Sequence, residues 1–144
     1  MKTIIRRIAS VALIITILST SVFALDKLPE SSSDVPLRTV GISHVSYIFD
    51  INSYGQATCC YYITLVPNYT ADVTMTLQQA PYGSERWKDV KEWSASGSYP
   101  EIAIEKSRAV NSGYDYQLEI DIDIYNSSGR LVDSTTDYSD IVSY

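Results

Sequence analysis

Histidine, cysteine and long apolar runs are scarce in this sequence. It contains one histidine, His44, and two cysteines, Cys59 and Cys60, which are adjacent. No second histidine or further cysteine lies at ligand spacing to complete a zinc site, so we predict neither a metal nor a cofactor. No serine has the glycine pattern of a nucleophile elbow, and we predict no catalytic residues. After residue 24 no run approaches about 18 consecutive apolar residues, so no membrane span is predicted in the mature chain.

Basic residues are also few, and three of the eleven lie within the first seven positions. Lys2, Arg6 and Arg7 precede an apolar run at residues 8–18, and residues 22–24 offer a site that a signal peptidase reads. This pattern predicts a secretory signal peptide over residues 1–24, with an uncleaved N-terminal anchor as the alternative. Removal of the three cations takes the formal net charge from −6 to −9. We therefore expect an extracellular protein that does not bind nucleic acid, because a polyanion would be repelled.

Turn residues divide the rest of the chain at even intervals. Residues 25–38 are polar, rich in serine and without a period, and they predict a flexible leader. Beyond them a glycine or a Pro-Asn pair recurs roughly every 12 to 16 residues, which suits one strand and its turn. Apolar and polar residues alternate with a period of two between the turns. Strands are predicted near 40–51, 56–66, 71–80, 86–93, 101–108, 114–125 and 130–142.

Seven such strands in one domain, residues 39–144, predict an all-β antiparallel sandwich of two sheets, immunoglobulin-like or fibronectin-type-III-like. Residues 110–116, VNSGYDY, resemble the fibronectin-type-III segment in which an apolar residue precedes by six the tyrosine of the tyrosine corner. Ser112 stands where that family usually has proline. The resemblance implies that the hydroxyl of Tyr116 hydrogen-bonds back to the preceding connection.

Longer motifs run through the predicted domain, about Thr39 to Tyr144. They are T-x-T-L-Q at 74–78, W-x-x-V-K-x-W at 87–93, S-G-Y-x-Y at 112–116 and Y-S at 138–139. Together they resemble a family of small secreted proteins from Gram-positive, Clostridium-like bacteria. The resemblance implies a secreted β-sandwich and says nothing about a substrate.

The cysteine pair lies within a predicted strand. Neighbours in a strand point to opposite faces, so Cys59 and Cys60 predict one thiol in the core and one that faces outward. The outward thiol could form an intermolecular disulfide, which would give a disulfide-linked dimer in place of a monomer. A strained vicinal disulfide is a third alternative.

Trp87 and Trp93 are six residues apart and so share one face of their predicted strand, about 20 Å from each other. If Val90 marks the core side, both indoles are exposed and suit contact with a sugar ring or a partner protein. If a bulge interrupts the strand, at least one indole turns inward as part of the core.

Acidic residues form a row on the polar face of the strand at 114–125. Glu119, Asp121 and Asp123 are spaced too far apart for two neighbours to share one small ion. We expect a solvated face balanced across strands by basic residues: Arg86, Lys88, Lys106 and Arg108. Calcium is the alternative, with further ligands from Asp133, Asp137 or Asp140.

These observations lead us to expect a secreted, non-catalytic binding module whose tyrosine- and tryptophan-rich sheet face contacts a glycan or protein ligand. The rival is a carbohydrate-active hydrolase, for which Glu101, Glu105, Asp121 and Asp123 would have to converge in a cleft. A calcium-stabilised adhesive domain is a further alternative.

Overall fold

The computed structural model of the protein describes residues 39–144, and the predicted signal peptide (1–24) and leader (25–38) lie outside them. Eight β-strands occupy the described part, which contains no helix that is long and apolar enough to span a membrane. The strands are β1 (Ile42–Ile51), β2 (Gln56–Leu65), β3 (Tyr69–Pro81), β4 (Lys88–Ser98), β5 (Glu101–Ala109), β6 (Tyr114–Asn126), β7 (Leu131–Tyr138) and β8 (Val142–Ser143).

The strands form two antiparallel sheets. The smaller sheet has the order β1-β2-β5, and the larger has the order β4-β3-β6-β7 with β8 paired to the start of β6. The predicted two-sheet sandwich is therefore confirmed. In an immunoglobulin constant domain the fourth strand joins the sheet of the first, second and fifth strands. Here β4 pairs with β3 instead, which is the fibronectin-type-III-like arrangement.

The centre of the core is the alternating strand β6. Its apolar side chains Leu118, Ile120, Ile122 and Ile124 have no exposed surface, as predicted. They stand opposite apolar residues of β3: Leu77, Met75, Val73 and Ala71. This register is fixed because a slip by one residue would bury three carboxylates, at a cost of several kcal/mol each.

The last predicted strand, 130–142, is interrupted. β7 ends at Tyr138, and the chain pairs with β6 again only at β8. Between them Ser139 is buried, and its side-chain hydroxyl accepts a hydrogen bond of 2.8 Å from the backbone N–H of Leu118. A side chain thus takes the role of a backbone ladder partner, which alternation in the sequence does not reveal.

The antiparallel order sorts the turns between the two ends of the sandwich. Residues 52–55, 82–87 and 110–113 connect strands at one end, where β8 also lies. Residues 66–68, 99–100 and 127–130 connect strands at the other end. The first set is rich in tyrosine, glycine and serine, and it forms the candidate site described next.

Candidate functional site

Three loops of similar composition meet at one end of the sandwich, which we call the aromatic pole. The loops are residues 52–55, 82–87 and 110–113, and each combines glycine and serine with a tyrosine in the loop or directly after it. Tyr54 is 91% exposed and Tyr82 is 57% exposed. Tyrosine, serine, glycine and asparagine are the residues that dominate antibody contact loops. The pole therefore has the composition of a recognition surface.

The first loop is a tight turn held by one asparagine. The side-chain Oδ1 of Asn52 accepts hydrogen bonds from the backbone N–H groups of Tyr54 and Gln56, both at 3.0 Å. Gly55 has a φ of +74°, and a Cβ at this position would lie 2.9 Å from the carbonyl oxygen of Val110 in the third loop. Glycine is thus required both by the turn and by the close approach of the two loops.

The second loop is tied to the strands by Asp115. The carboxylate of Asp115 accepts hydrogen bonds from the backbone N–H of Gly83 at 2.8 Å and from the hydroxyl of Ser143 at 2.6 Å. The hydrogen bond from Ser143, followed by the one from Gly83, lowers the pKa of this carboxyl below its usual value. One ionised side chain therefore joins the loop that carries Tyr82 to strand β8.

The third loop is held by the tyrosine predicted from sequence. The buried hydroxyl of Tyr116 donates a hydrogen bond of 2.7 Å to the carbonyl oxygen of Asn111 and accepts one of 3.1 Å from its N–H. This is the contact expected of a tyrosine corner. The ring of Tyr114 packs edge-to-face on that of Tyr116, with centroids 6.3 Å apart. Burial raises the pKa of Tyr116, so its hydroxyl stays protonated as a donor.

Tyr144 connects the first and third loops. Its backbone carbonyl accepts hydrogen bonds from Gly113 and Tyr114, and its hydroxyl lies 3.4 Å from the carbonyl oxygen of Ser53. The backbone of Val110 also donates to the carbonyl of Gly55 at 2.8 Å. The aromatic pole is therefore one hydrogen-bonded unit, and its exposed rings are presented on loops that are already ordered.

The tryptophans do not share a strand face, and the alternative prediction, that a bulge turns at least one indole inward, is confirmed. Trp87 precedes β4, which begins at Lys88. The pairing of β4 with β3 shifts between Leu77 and Gln78, and the shift leaves Val90 as an extra residue. Such a bulge resets the alternation. Trp93 consequently stands opposite Met75 and packs, half-buried, against the core.

The cysteines are both free and both buried. Cys59 lies in the core, where burial raises the pKa of its thiol to about 12. Cys60 is on the outer face but only 9% exposed, so the predicted exposed thiol is wrong. The hydroxyl of Tyr62, on the same face, donates a hydrogen bond of 2.9 Å to Glu105, the cross-strand neighbour of Cys60. Tyr62 and Glu105 thus cover the second thiol. A disulfide-linked dimer would first have to uncover it.

The acidic row of β6 is paired with a row of hydroxyl groups on β7. Ser134 donates to Asp123 at 2.6 Å, and Thr136 donates to Asp121 at 2.6 Å. Tyr138 donates to Glu119 at 3.1 Å. We call these three hydrogen bonds the hydroxyl ladder.

The hydroxyl ladder corrects the prediction that basic residues balance the acidic row. Lys106 and Arg108 belong to β5 in the other sheet, Arg86 lies in the loop before β4, and Lys88 is the first residue of β4. Neutral donors fill the places that sequence reasoning assigned to cations, because β7 alternates hydroxyl residues on its outward positions.

The carboxylates required for hydrolysis do not converge. Glu101 and Glu105 project from the outer face of the smaller sheet, whereas Asp121 and Asp123 project from the outer face of the larger one. The two pairs therefore lie on opposite sides of the sandwich. A shallow depression on the outer face of β3 and β4 contains a single carboxylate, that of Asp72.

Metal ligands are likewise not gathered. Within residues 39–144 no group of three or more histidine, cysteine, aspartate or glutamate side chains is placed to hold an ion. His44 is exposed on β1, opposite Thr64. Asp133 and Asp137 stand opposite Ile124 and Ile120 and point inward. They therefore lie on the other face from Glu119, Asp121 and Asp123, with which they were expected to bind calcium in the alternative prediction.

Comparison of the chain with protein-family models, with curated proteins and with solved structures finds no match. The likeness to secreted clostridial proteins accordingly stays a prediction from the motifs. Sequence reasoning missed Tyr54 and Tyr82, although a signal for them exists. The same tyrosine, glycine and serine residues recur in the connections 52–55, 82–87 and 110–113, which the strand order brings to one end.

Proposed function

We propose that the protein is an exported, non-catalytic binding module that holds a protein partner outside the cell through the aromatic pole. The observation that carries the proposal is the exposure of Tyr54 and Tyr82 on loops that are hydrogen-bonded to each other or to the sheet. The apolar run at residues 8–18 and the motifs that resemble secreted clostridial proteins support export.

A protein partner is favoured by the chemistry of the pole. Tyrosine offers a large contact area and a hydroxyl at little cost in side-chain entropy, and it is enriched among the residues that dominate binding energy. Small glycine and serine neighbours, such as Gly83 and Ser84, leave the rings accessible, and the serine side chains add adaptable hydroxyl groups. The pole thus combines anchors with adaptable polar contacts.

Order in the loops supports the same conclusion. Ordering a flexible side chain or loop on binding costs about 0.5 to 1.5 kcal/mol for each side chain that is immobilised. Asn52, Asp115 and Tyr116 already fix the three loop backbones in the free protein. The cost of ordering the loop backbones is therefore met during folding, and the side chains of the exposed tyrosines remain to be ordered on binding.

The contact surface differs from the one that the sequence predicts. We expected a sheet face bearing Trp87 and Trp93, but Trp93 packs against the core and Trp87 lies in the loop that carries Tyr82. Trp87 is half-buried and belongs to one of the three loops of the aromatic pole, so it keeps a role in the proposed contact.

Selection of binders from a library of displayed peptides and small protein domains would test the proposal. We expect Tyr54→Ser and Tyr82→Ser to weaken selected binders about tenfold each, which corresponds to about 1.4 kcal/mol. Tyr99→Ser is the matched control, because Tyr99 is 54% exposed at the opposite end of the sandwich. Urea unfolding of each variant would show that the fold is kept.

Two results would contradict the proposal. Binders that tolerate Tyr54→Ser and Tyr82→Ser but lose affinity with Tyr99→Ser would move the contact away from the aromatic pole. A glycan array on which neutral sugars bind in a manner dependent on Tyr54 and Tyr82, with no protein binder selected, would replace the protein partner by a carbohydrate.

A further inference from the structure

Edge strand β5 turns two cations toward the space between the sheets. Lys106 stands opposite Cys59 and Arg108 stands opposite Ala57, and both of these β2 residues are fully buried in the core. Directly paired side chains lie on the same face of a sheet. Lys106 and Arg108 therefore project from the inner face, yet both are exposed because β5 ends its sheet.

Edge strand β4 of the larger sheet does the same. Lys91 stands opposite the buried Leu77, and Lys88 stands opposite Gln79, which contacts the core tyrosine Tyr116. Both lysines are exposed. Trp93 follows on the same inner face and is half-buried.

The acids of these two strands lie on the other faces. On β4, Asp89 and Glu92 pair with the outward residues Gln78 and Thr76. On β5, Glu101 and Glu105 alternate with the buried Ile102 and Ile104 and so face outward. Charge is thus separated by strand face, with four cations inside the open edge of the sandwich and four carboxylates outside it.

The two strands adjoin along this edge. A Cβ added to Gly97 on β4 would lie 2.8 Å from the side chain of Ile102 on β5, so the inner faces touch next to the turn at 99–100. Each further pair of residues advances about 6.7 Å along either strand. Counted in these steps from the Gly97–Ile102 contact, Trp93 corresponds to Lys106, and Lys91 corresponds to Arg108. We call the space between these inward residues, Lys88, Lys91 and Trp93 on β4 and Lys106 and Arg108 on β5, the basic cleft.

The cationic groups of the basic cleft are not engaged. Within residues 39–144 no side chain forms a salt bridge or hydrogen bond with Lys88, Lys91, Lys106 or Arg108. Within the same residues every buried side-chain polar atom has a hydrogen-bond partner. The indole N–H of Trp93 has no partner there, so this group is not buried and contacts solvent.

At the opposite edge of the sandwich, strand β7 also turns charged side chains inward, and these have partners within the protein. There, Asp137 accepts a hydrogen bond of 3.3 Å from the core residue Tyr61, and Asp133 accepts one of 3.1 Å from the backbone N–H of Val40. Those inward charges close their edge through internal contacts. The cations of the basic cleft have no such partners within residues 39–144, so their charge is available to a ligand.

We propose that the basic cleft binds an anionic saccharide, one whose sulfate, phosphate or carboxylate groups are spaced along a short chain. Four cations in two rows supply the charge complementarity. The indole of Trp93 supplies a flat apolar face and an N–H donor, the combination that suits a sugar ring. The formal net charge, −6 for the full chain and −9 without residues 1–24, repels long polyanions at a distance, so the cleft suits a short anionic segment and not nucleic acid. This site shares no residue with the aromatic pole and stands independently of it.

Titration of the purified protein with defined oligomers would test the proposal, with calorimetry and tryptophan fluorescence as readouts. The probes are a sulfated, an oligouronate and a glycerol-phosphate-bearing oligosaccharide, with an uncharged oligosaccharide, oligoglutamate and a single-stranded DNA oligomer for comparison. We expect at least one anionic saccharide to bind, and the three anionic probes to identify which group is preferred. Replacement of Lys106→Gln together with Arg108→Gln should weaken that binding about tenfold or more, as the loss of charge-assisted hydrogen bonds implies.

Arg130→Gln is the matched control, because Arg130 is exposed in the turn at the opposite end and lies outside the cleft. It should change affinity less than about twofold, within the usual effect of a distant surface charge. Equal binding of oligoglutamate or DNA would overturn the assignment to a saccharide. Absence of binding by every anionic saccharide, with aggregation of the Lys106→Gln/Arg108→Gln variant, would show instead that the cations only prevent edge-to-edge pairing. Retained urea unfolding curves would exclude loss of the fold as a cause of weaker binding.

Discussion

Replacement of Ile120 by alanine is the perturbation that examines the architecture most directly. Ile120 has no exposed surface and stands between Met75 on β3 and Asp137 on β7. The change removes three carbon atoms, or about 2.4 kcal/mol at about 0.8 kcal/mol for each buried CH₂. A residual cavity adds to this, and the expected total is about 3 to 4 kcal/mol.

The matched control is the next residue on the same strand, Asp121. Asparagine at this position keeps an oxygen that can accept the 2.6 Å hydrogen bond from Thr136, and it removes a charge from a row of three carboxylates. Asp121→Asn should therefore change the free energy of unfolding by less than about 0.5 kcal/mol, or raise it slightly. The pair of variants separates the buried face of β6 from its solvated face.

Urea unfolding followed by tryptophan fluorescence is the assay, with Trp93 as the reporter because it packs against the core. The midpoint should fall for Ile120→Ala while the dependence on urea concentration stays constant, since the surface exposed on unfolding hardly changes. The reasoning is refuted if Asp121→Asn is the more damaging change. If calcium then protected only the parent protein, the acidic row would be a metal site.

Three further outcomes follow from single contacts. Tyr116→Phe removes the hydrogen bonds to Asn111 and should lower the free energy of unfolding by about 1 kcal/mol in urea, whereas an unchanged midpoint would deprive the tyrosine corner of a stabilising role. Burial raises the pKa of the Cys59 thiol from 9.0 to about 12. Between pH 9.0 and about 12 this thiol therefore loses its proton in the unfolded chain but keeps it in the folded protein. The free energy of unfolding should thus fall as pH rises through that window, and Cys59→Ala should flatten the slope; a steeper or unaltered slope would count against the thiol as its source. Gly55→Ala should cost about 1 to 3 kcal/mol, because the backbone has φ of +74° and the new Cβ would meet Val110, and a thermal melt unaffected by it would disprove the close approach.

Local alternation was enough to predict most of the fold. The alternation in β6 predicts which of its faces is buried and in which register it pairs, because any other register would bury carboxylates. Tyr116 could be placed from the spacing of seven residues, since a tyrosine corner depends only on the connection that immediately precedes it.

What the sequence did not reveal depends on contacts between distant segments. A bulge in β4 was one of two alternatives, but its position at Val90 follows from how β4 meets β3 and has no mark in the local pattern. The thiol of Cys60 is shielded from solvent by Tyr62 and by Glu105, and Glu105 belongs to another strand. The aromatic pole likewise needs the strand order, because its three loops are neighbours only in space.

The hydroxyl ladder has a consequence for the response of the protein to salt. Its three hydrogen bonds join carboxylates to uncharged donors, Ser134, Thr136 and Tyr138, so no attraction between opposite charges is present there for dissolved ions to screen. What salt does screen is the repulsion among Glu119, Asp121 and Asp123, and the repulsion between Asp123 and its direct cross-strand neighbour on β3, Asp72. Added sodium chloride should therefore stabilise the larger sheet, which should be less stable in water of very low ionic strength than in concentrated salt.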